Sequence, residues 1–376
     1  MARSLKQKKG SLNIDELRKK INKKAGMNVA HDLTTDNPTE VKDWIPTGST
    51  WLNSVICRGK TAGIPVGKIS EIAGLEASGK SYMAAQTAAN AQKMGINVVY
   101  FDSESAIDPT FLEKSGLIVD EVLYVQASSV EFVLETIEEL LNSTEERMLF
   151  IWDSLALTPA VSDVEGSFNP NESVAVKARV LAKGMSKLIV SLANSQSTLL
   201  VLNQLKTNIQ VANPKYATDS EKYTTPGGKS MMYAYSLRIW LTGKKGKKSL
   251  LADDKGFVIG NEVKARLEKS RFGTSGRICN FKIMWGGDIG VKDDESLFEA
   301  IQSSEQLTNS GPWWTLKYTD GSEQKFQAAK WGEFMLDPKF RDRVIRLVDE
   351  EVVLKFDNRD TDAQHFYDEV EEEVQK

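Results

Sequence analysis

The sequence predicts an α/β protein: a core with a central, mostly parallel sheet, an N-terminal helical arm, and a small C-terminal α+β domain. Three observations carry this. Nearly all-apolar runs at 68–73, 97–101, 148–152 and 198–202 are separated by stretches of helical spacing, as in strands buried on both faces. The first run opens onto Gly74-Leu75-Glu76-Ala77-Ser78-Gly79-Lys80-Ser81, a G-x-x-x-x-G-K-S pattern with a helical repeat directly behind it. Beyond residue 235 the runs at 236–241, 262–267 and 277–285 alternate more, as hairpins with one wet face do.

Taken in chain order, the first element is a short basic helix. Asn13 and Glu16 make a capping pattern, Ile14, Leu17 and Ile21 fall on one stripe, and Gly26 is its stop. Helical spacing recurs at 80–93, 130–141 and 173–194 between the apolar runs. After residue 295 come a helix through 297–302, a hairpin signal around Asp320-Gly321, and a helix over 338–353. Trp313, Trp314 and Trp331 are expected in the core of that small unit. The expected divisions are 1–44 (arm and linker), 45–292 (core), 293–356 (small domain) and 357–376 (acidic tail).

Composition narrows the function classes. Of 376 residues, 41% are hydrophobic and 27% charged, enough for a sizeable core. No apolar run approaches the ~20 residues of a membrane helix. Two cysteines cannot make a disulfide framework, and two histidines leave little for a His-rich metal site. The basic start lacks an apolar segment behind it, so the expected location is the cytoplasm. Net charge is −4, yet residues 1–24 carry +7 and residues 357–376 carry −6. Such polarity suits electrostatic partners or a self-masking tail, and equally two solvated ends.

The glycines of the loop at 74–81 let backbone N–H groups curl around phosphate oxygens at a helix N-terminus. Lys80 would reach the outer phosphates, and Ser81 would ligate Mg²⁺. Asp153, ending the run at 148–152, supplies a second Mg²⁺ contact. Glu104 follows the run at 97–101, where a carboxylate can activate water or simply cap a helix. Asn203 and Gln204 end another run, and both amides can sense a phosphate. The stretch 205–228 has no hydrophobic periodicity and mixes Lys206, Lys215 and Lys222 with Tyr216, Tyr223 and glycines. Lysines and aromatics in that mixture suit nucleic-acid contact. A second irregular stretch, about 163–172, precedes a helix bearing Lys177, Arg179, Lys183 and Lys187; these cations also suit a solvated face.

With these motifs in place, the chain resembles RecA-family recombinases, and within them is similar to tailed-phage recombinases of the UvsX type. The matching blocks run from Ile45-Pro-Thr-Gly-Ser-Thr-Trp-Leu-Asn53 through the phosphate loop to Tyr100-Phe-Asp-Ser-Glu104. They continue through Trp152-Asp-Ser154, Leu200-Val-Leu-Asn-Gln204, Thr224-Thr-Pro-Gly-Gly228, Leu267-Glu-Lys-Ser-Arg271 and Ser310-Gly-Pro-Trp-Trp314.

The resemblance implies a RecA-like P-loop ATPase core that takes ATP and Mg²⁺, forms helical filaments of its own copies on single-stranded DNA, and exchanges strands with duplex DNA. It implies single-strand-binding and mediator proteins as further partners, and no membrane. Glu104 then falls on the carboxylate that polarises water, and Gln204 on the link from γ-phosphate to DNA. Gly74, Glu76, Ala77, Ser78, Gly79, Lys80, Ser81 and Tyr82 fall on the phosphate loop and its helix, and Asp108 and Phe111 on the adenine contacts. Lys269 and Arg271 match cations that reach ATP on the adjacent subunit. Arg179, Lys183, Lys206, Ile209, Val211, Gly227 and Gly228 match DNA contacts. The second loop departs from the bacterial pattern: it is longer after Pro214 and lacks an aromatic near Val211.

Overall fold

A computed structural model describes residues 13–353 apart from 27–29, 36, 38–39, 58–62, 106, 167–175, 212–216, 244–248, 274 and 287–288. The acidic tail and most of the irregular stretch at 163–172 lie outside the described residues. Met1–Lys42 and Asp43–Lys376 form two compact units.

In the first unit, helix α1 (Ile14–Ala25) starts where the capping pattern puts it. Asn13 Oδ1 accepts the N–H groups of Asp15 and Glu16, and Gly26 ends the helix at φ +69°. Ile14, Leu17 and Ile21 are all exposed along its one apolar stripe.

Among the described residues the second unit is built on one ten-stranded sheet, nine of whose strands form a continuous path: β1 (Ile69–Gly74), β2 (Asn97–Asp102), β3 (Val122–Gln126), β4 (Met148–Asp153), β5 (Thr198–Gln204), β6 (Leu237–Gly243), β7 (Val258–Ser270), β8 (Ile278–Met284) and β9 (Gly290–Lys292). Their order across the sheet is β9-β8-β7-β6-β1-β5-β4-β2-β3, and Leu250–Ala252 pairs with β7 off this path. From β6 to β3 every pairing is parallel; from β6 to β9 every pairing is antiparallel. The change of direction is why the inner runs at 98–101, 148–152 and 199–202 are apolar and the later ones alternate, whereas β1 keeps Ser70 and Glu71 within a fully buried strand.

Helices cover both faces of the parallel half. Val98, Tyr100, Leu149 and Ile151 pack on one side with α2 (Thr50–Ile56) and the alanine-rich α3 (Lys80–Lys93). Val99, Phe101, Phe150 and Trp152 pack on the other with α5 (Val130–Ser143) and α6 (Val176–Ser195), while α4 (Pro109–Lys114) lies between β2 and β3 in the chain. Successive residues point to opposite faces of a strand, so a strand buried on both sides is apolar throughout. β3 escaped the sequence reading because it is an edge strand: Leu123 and Tyr124 are exposed.

After α7 (Gly228–Ala234) and the antiparallel strands come α8 (Asp294–Ile301), a three-stranded antiparallel sheet of β10 (Leu307–Ser310), β11 (Trp313–Lys317) and β12 (Glu323–Gln327), and α9 (Pro338–Val348). Phe298, Phe326, Trp331 and Phe340 form its aromatic core, with Trp331 Nε1 donating to the Asp294 carbonyl at 2.7 Å. Trp314 packs edge-on against Phe298, but Trp313 is 39% exposed beneath the Lys325 ammonium. The expectation of three core tryptophans fails at Trp313 because neighbours along β11 face opposite ways.

A π-helical turn at Asp349–Val353 follows α9, and the Ser54 hydroxyl of α2 donates to the Asp349 carboxylate. Burial pushes Asp349 up to about 6; the Ser54 bond opposes this and neighbouring Glu350 adds to it. A carboxyl raised on folding stabilises below its unfolded value and loses that contribution as pH rises to the folded value. Asp349→Asn is expected to flatten stability between pH 4 and 6. After discounting for the solvent that reaches the half-buried group, it should add roughly 1 kcal/mol at pH 7. Urea unfolding across that pH range checks both effects.

Candidate nucleotide and nucleic-acid site

Strand β1 ends at Gly74, and the loop from there to α3 is closed too tightly for side chains. A Cβ on Gly74 would lie 2.2 Å from Ser78 Oγ, and one on Gly79 (φ +86°) would lie 2.3 Å from Ile283 Cδ1. The Lys80 ammonium folds back onto the loop, donating to the carbonyls of Leu75 (2.8 Å) and Gly74 (3.3 Å). Burial lowers the Lys80 pKa, and Asp153, Glu104 and Glu76 pull it back. An amine held by carbonyls alone in a half-buried loop suits a phosphate.

Parallel pairing puts the second group of residues beside this loop. Asp102 and Asp153 are paired in register at the ends of β2 and β4. Asp153 Oδ2 accepts from Ser81 Oγ (2.9 Å) and from Tyr100 Oη (3.0 Å). Burial raises the Asp153 pKa, while those two hydroxyls oppose and Glu104 and Asp102 reinforce the rise. A hydroxyl and a carboxylate fit Mg²⁺, which takes one or two protein oxygens and leaves the rest to phosphates and water.

Glu104 sits exposed in the turn after β2, its Oε1 accepting from Ser154 Oγ at 2.9 Å. The turn is fixed from below. Buried Asp102 accepts the N–H groups of Glu104 (2.8 Å) and Ser105 (2.9 Å) and the Tyr124 hydroxyl (3.1 Å). Sequence inspection passed over Asp102 as a positioning group. The signal was present: an aspartate two residues before the candidate carboxylate is placed for an Asx turn.

A cleft of about 310 Å³ opens beside the loop, lined by Ala77, Ser78, Gly79, Lys80, Ser81, Tyr82 and Phe111 and also by Asn261, Ile283 and Trp285. Ser78 Oγ, Tyr82 Oη and Asn261 Oδ1 are buried there without a hydrogen-bond partner, an uncompensated cost that a polar ligand would relieve. Phe111 meets Tyr82 edge-on at 5.9 Å, whereas Asp108 caps α4 through the Thr110 N–H (2.9 Å) and does not line the cleft. Glu76 is exposed outside it. Asn261 and Ile283 come from the antiparallel strands and Trp285 directly follows β8, and nothing in their local sequence ties them to a loop some 180 residues or more earlier.

Gln204 ends β5 in register with Gly74, and the Leu205 N–H donates to the Gly74 carbonyl at 3.0 Å. The following segment is more ordered than its lack of periodicity suggests. Lys206–Thr207 pairs with Tyr223–Thr224, and a turn at Asp219–Lys222 docks on β7 through Asp219–Lys264 (2.9 Å) and Ser220–Glu268 (2.8 Å). Two-residue strands fixed by distant side chains leave no repeat to read. Lys206 is exposed, Ile209 is 94% exposed and Val211 is half-buried. Gly227 (φ +109°) and Gly228 (φ +78°) turn the chain into α7, and a Cβ on Gly228 would lie 3.5 Å from Ala178 Cβ of α6. That contact brings the exit of the segment to the helix bearing exposed Arg179 and Lys183. Lys177 is otherwise engaged, donating to the carbonyls of Leu155 (2.8 Å) and Thr158 (2.6 Å), and Lys187 pairs with Glu138 (2.8 Å).

Lys269 and Arg271 are not brought to this chain's own phosphate loop. Through β6, Lys269 is level with Glu71 and Arg271 with Ile69, roughly 10 and 17 Å down the strand from Gly74. Lys269 Nζ donates to the carbonyl of Met232 (2.7 Å), and Arg271 to that of Tyr233 (3.0 Å), in the last turn of α7. Burial, then Arg271 and Arg238, lowers the Lys269 pKa.

A family model, the RecA N-terminal domain, matches residues 12–290 of the chain. The chain belongs to the RecA family. It is 29% identical over 282 residues to the RecA protein of Bifidobacterium breve, covering 74% of this chain and 67% of that one. It is 27% identical over 324 residues to the RecA protein of Ectopseudomonas oleovorans, covering 85% of each. The RecA protein of Fusobacterium nucleatum is 30% identical over 273 residues, 73% of this chain and 68% of its own.

RecA-family proteins bind ATP with Mg²⁺, and the aromatic wall of the cleft suits a base. Trp285→Ala is expected to weaken ADP binding about tenfold, the scale of one lost base–aromatic contact, with little change in melting temperature because Trp285 is 47% exposed. Isothermal titration calorimetry measures the affinity.

Proposed function

We propose that the chain is a DNA-dependent ATPase recombinase, forming helical filaments on single-stranded DNA and carrying out homologous pairing and strand exchange with a duplex. The observation that carries this is the division of the site. Lys80, Ser81, Asp153 and Glu104 gather at one edge of the sheet, while Lys269 and Arg271 stand at the other end of β1, held on their own chain's α7. A complete ATP site then needs two copies, and head-to-tail sharing of sites builds a ring where the rotation closes and an open helical polymer, as in this reading, where it does not.

Magnesium, when bound, offsets charge on the phosphates. Ser81 and Asp153 would hold it, and Lys80, leaving its loop carbonyls, would meet the outer phosphates. Glu104 stands free of the cleft floor, where it can orient and deprotonate water, with Ser154 fixing one of its oxygens. Lys269 and Arg271 of the next copy would stabilise charge building on the transferred group. Gln204, level with Gly74 and opening the 205–228 segment, would report the γ-phosphate to DNA held by Arg179, Lys183, Lys206, Ile209, Val211, Gly227 and Gly228. The exposed apolar stripe of α1 supports docking of the arm on a neighbouring copy. No described helix is long and apolar enough to cross a membrane. The cytoplasm is the proposed location, with single-strand-binding and mediator proteins as further partners and the acidic 357–376 as a mask over basic surfaces.

Glu104→Gln is expected to bind Mg·ATP and assemble on DNA while hydrolysing roughly 10²–10⁴ times more slowly; a wild-type rate would leave Glu104 only a partner of Ser154. Sharing of the site predicts that Lys80→Ala protein mixed with Lys269→Ala protein recovers some ATPase activity, because one kind of mixed interface is intact. No recovery, with mixed polymers shown by crosslinking, would place both lysines in one copy's site.

A further inference from the structure

Beneath the cleft, three adjacent strands contribute one buried polar cluster. Glu71, three residues before Gly74 on β1, is fully buried; Arg238 of β6 donates its Nε to Oε2 at 2.6 Å, and Asn203 of β5 donates Nδ2 to Oε1 at 2.9 Å. Both donors reach further, to the exit of the 205–228 segment. Arg238 Nη2 donates to Thr225 Oγ1 (2.9 Å), and Asn203 Nδ2 to the Pro226 carbonyl (3.0 Å). Asn203 Oδ1 accepts the N–H of Gln204 (3.0 Å).

A buried ion pair gives little net stability over apolar packing, so its use here lies in direction and geometry. The segment is fastened to β1 at both ends: at its entry by the Leu205 N–H on the Gly74 carbonyl, and at its exit through Thr225 and Pro226 to Glu71. A displacement of β1 or of the end of β5 therefore moves both ends of the segment together. We infer that Glu71, Asn203 and Arg238 are positioning residues that tie the exit of this segment to the phosphate-loop strand, so that the state of the nucleotide pocket sets the segment's grip on DNA. This rests on the recombinase reading above and adds to it a second route beside Gln204.

The test is the affinity for a labelled oligothymidylate by fluorescence anisotropy, with ADP and with the slowly hydrolysed ATP analogue ATPγS, in the full chain. The quantity read is the ratio of the two dissociation constants. A purely structural role would weaken binding in both nucleotide states alike and leave the ratio unchanged. Thr225→Val, which removes one hydroxyl and keeps the shape, is expected to reduce the ratio about tenfold, and Thr225→Ser to restore it. Asn203→Ser tests the other strut, with the same loss expected; melting curves identify which variants are folded. A wild-type ratio in folded Thr225→Val and Asn203→Ser proteins overturns the linkage. Equal DNA affinity with both nucleotides in the wild-type protein overturns the recombinase reading itself, a different result.

Discussion

Parallel pairing of β1, β5, β4 and β2 is the constraint from which the site follows. Strands running the same way end on the same edge, so Gly74, Gln204, Asp153 and Asp102 arrive side by side from four separate parts of the chain. Parallel strands need both faces covered, which the two apolar cores supply, and the candidate site's polar groups lie at the strand ends. Each then needs only a local device. Gly74 and Gly79 allow a tight loop, Asp102 clamps the turn of Glu104, and Ser81 and Tyr100 hold Asp153.

Reversal of strand direction at β7 has the opposite consequence. It carries Lys269 and Arg271 away from the strand ends that hold the phosphate loop, where they donate to the carbonyls of Met232 and Tyr233. The same strands return Asn261 and Trp285 to the cleft wall at their other ends. One antiparallel ribbon thus lines the cleft at one end, and at the other carries the two cations that the proposed function assigns to a neighbouring copy. The cluster of Glu71, Asn203 and Arg238 lies level with Lys269 and holds the exit of the 205–228 segment to β1.

What could be read from the sequence divides along physical lines. The phosphate loop, the limits of α3 and the inner strands were legible, because continuous apolar runs and a glycine-bound motif are local signals. Edge strand β3 was not, since exposed Leu123 and Tyr124 break the buried pattern. The ribbon at Lys206–Thr207 and the turn on β7 depend on contacts with Lys264 and Glu268, some 45 residues away. Among the cations of α6, only packing separates Lys177, spent on carbonyls, from exposed Arg179 and Lys183. Trp285 needed the sheet order before it could be assigned to the cleft.

Electron cryomicroscopy of the full chain with long single-stranded DNA, Mg²⁺ and a non-hydrolysable ATP analogue tests the shared site most directly. The expected image is an open helical filament, with each nucleotide between Lys80 of one copy and Lys269 and Arg271 of the next, and DNA against the 205–228 segment. Closed rings, or nucleotides contacted by one copy alone, would contradict it.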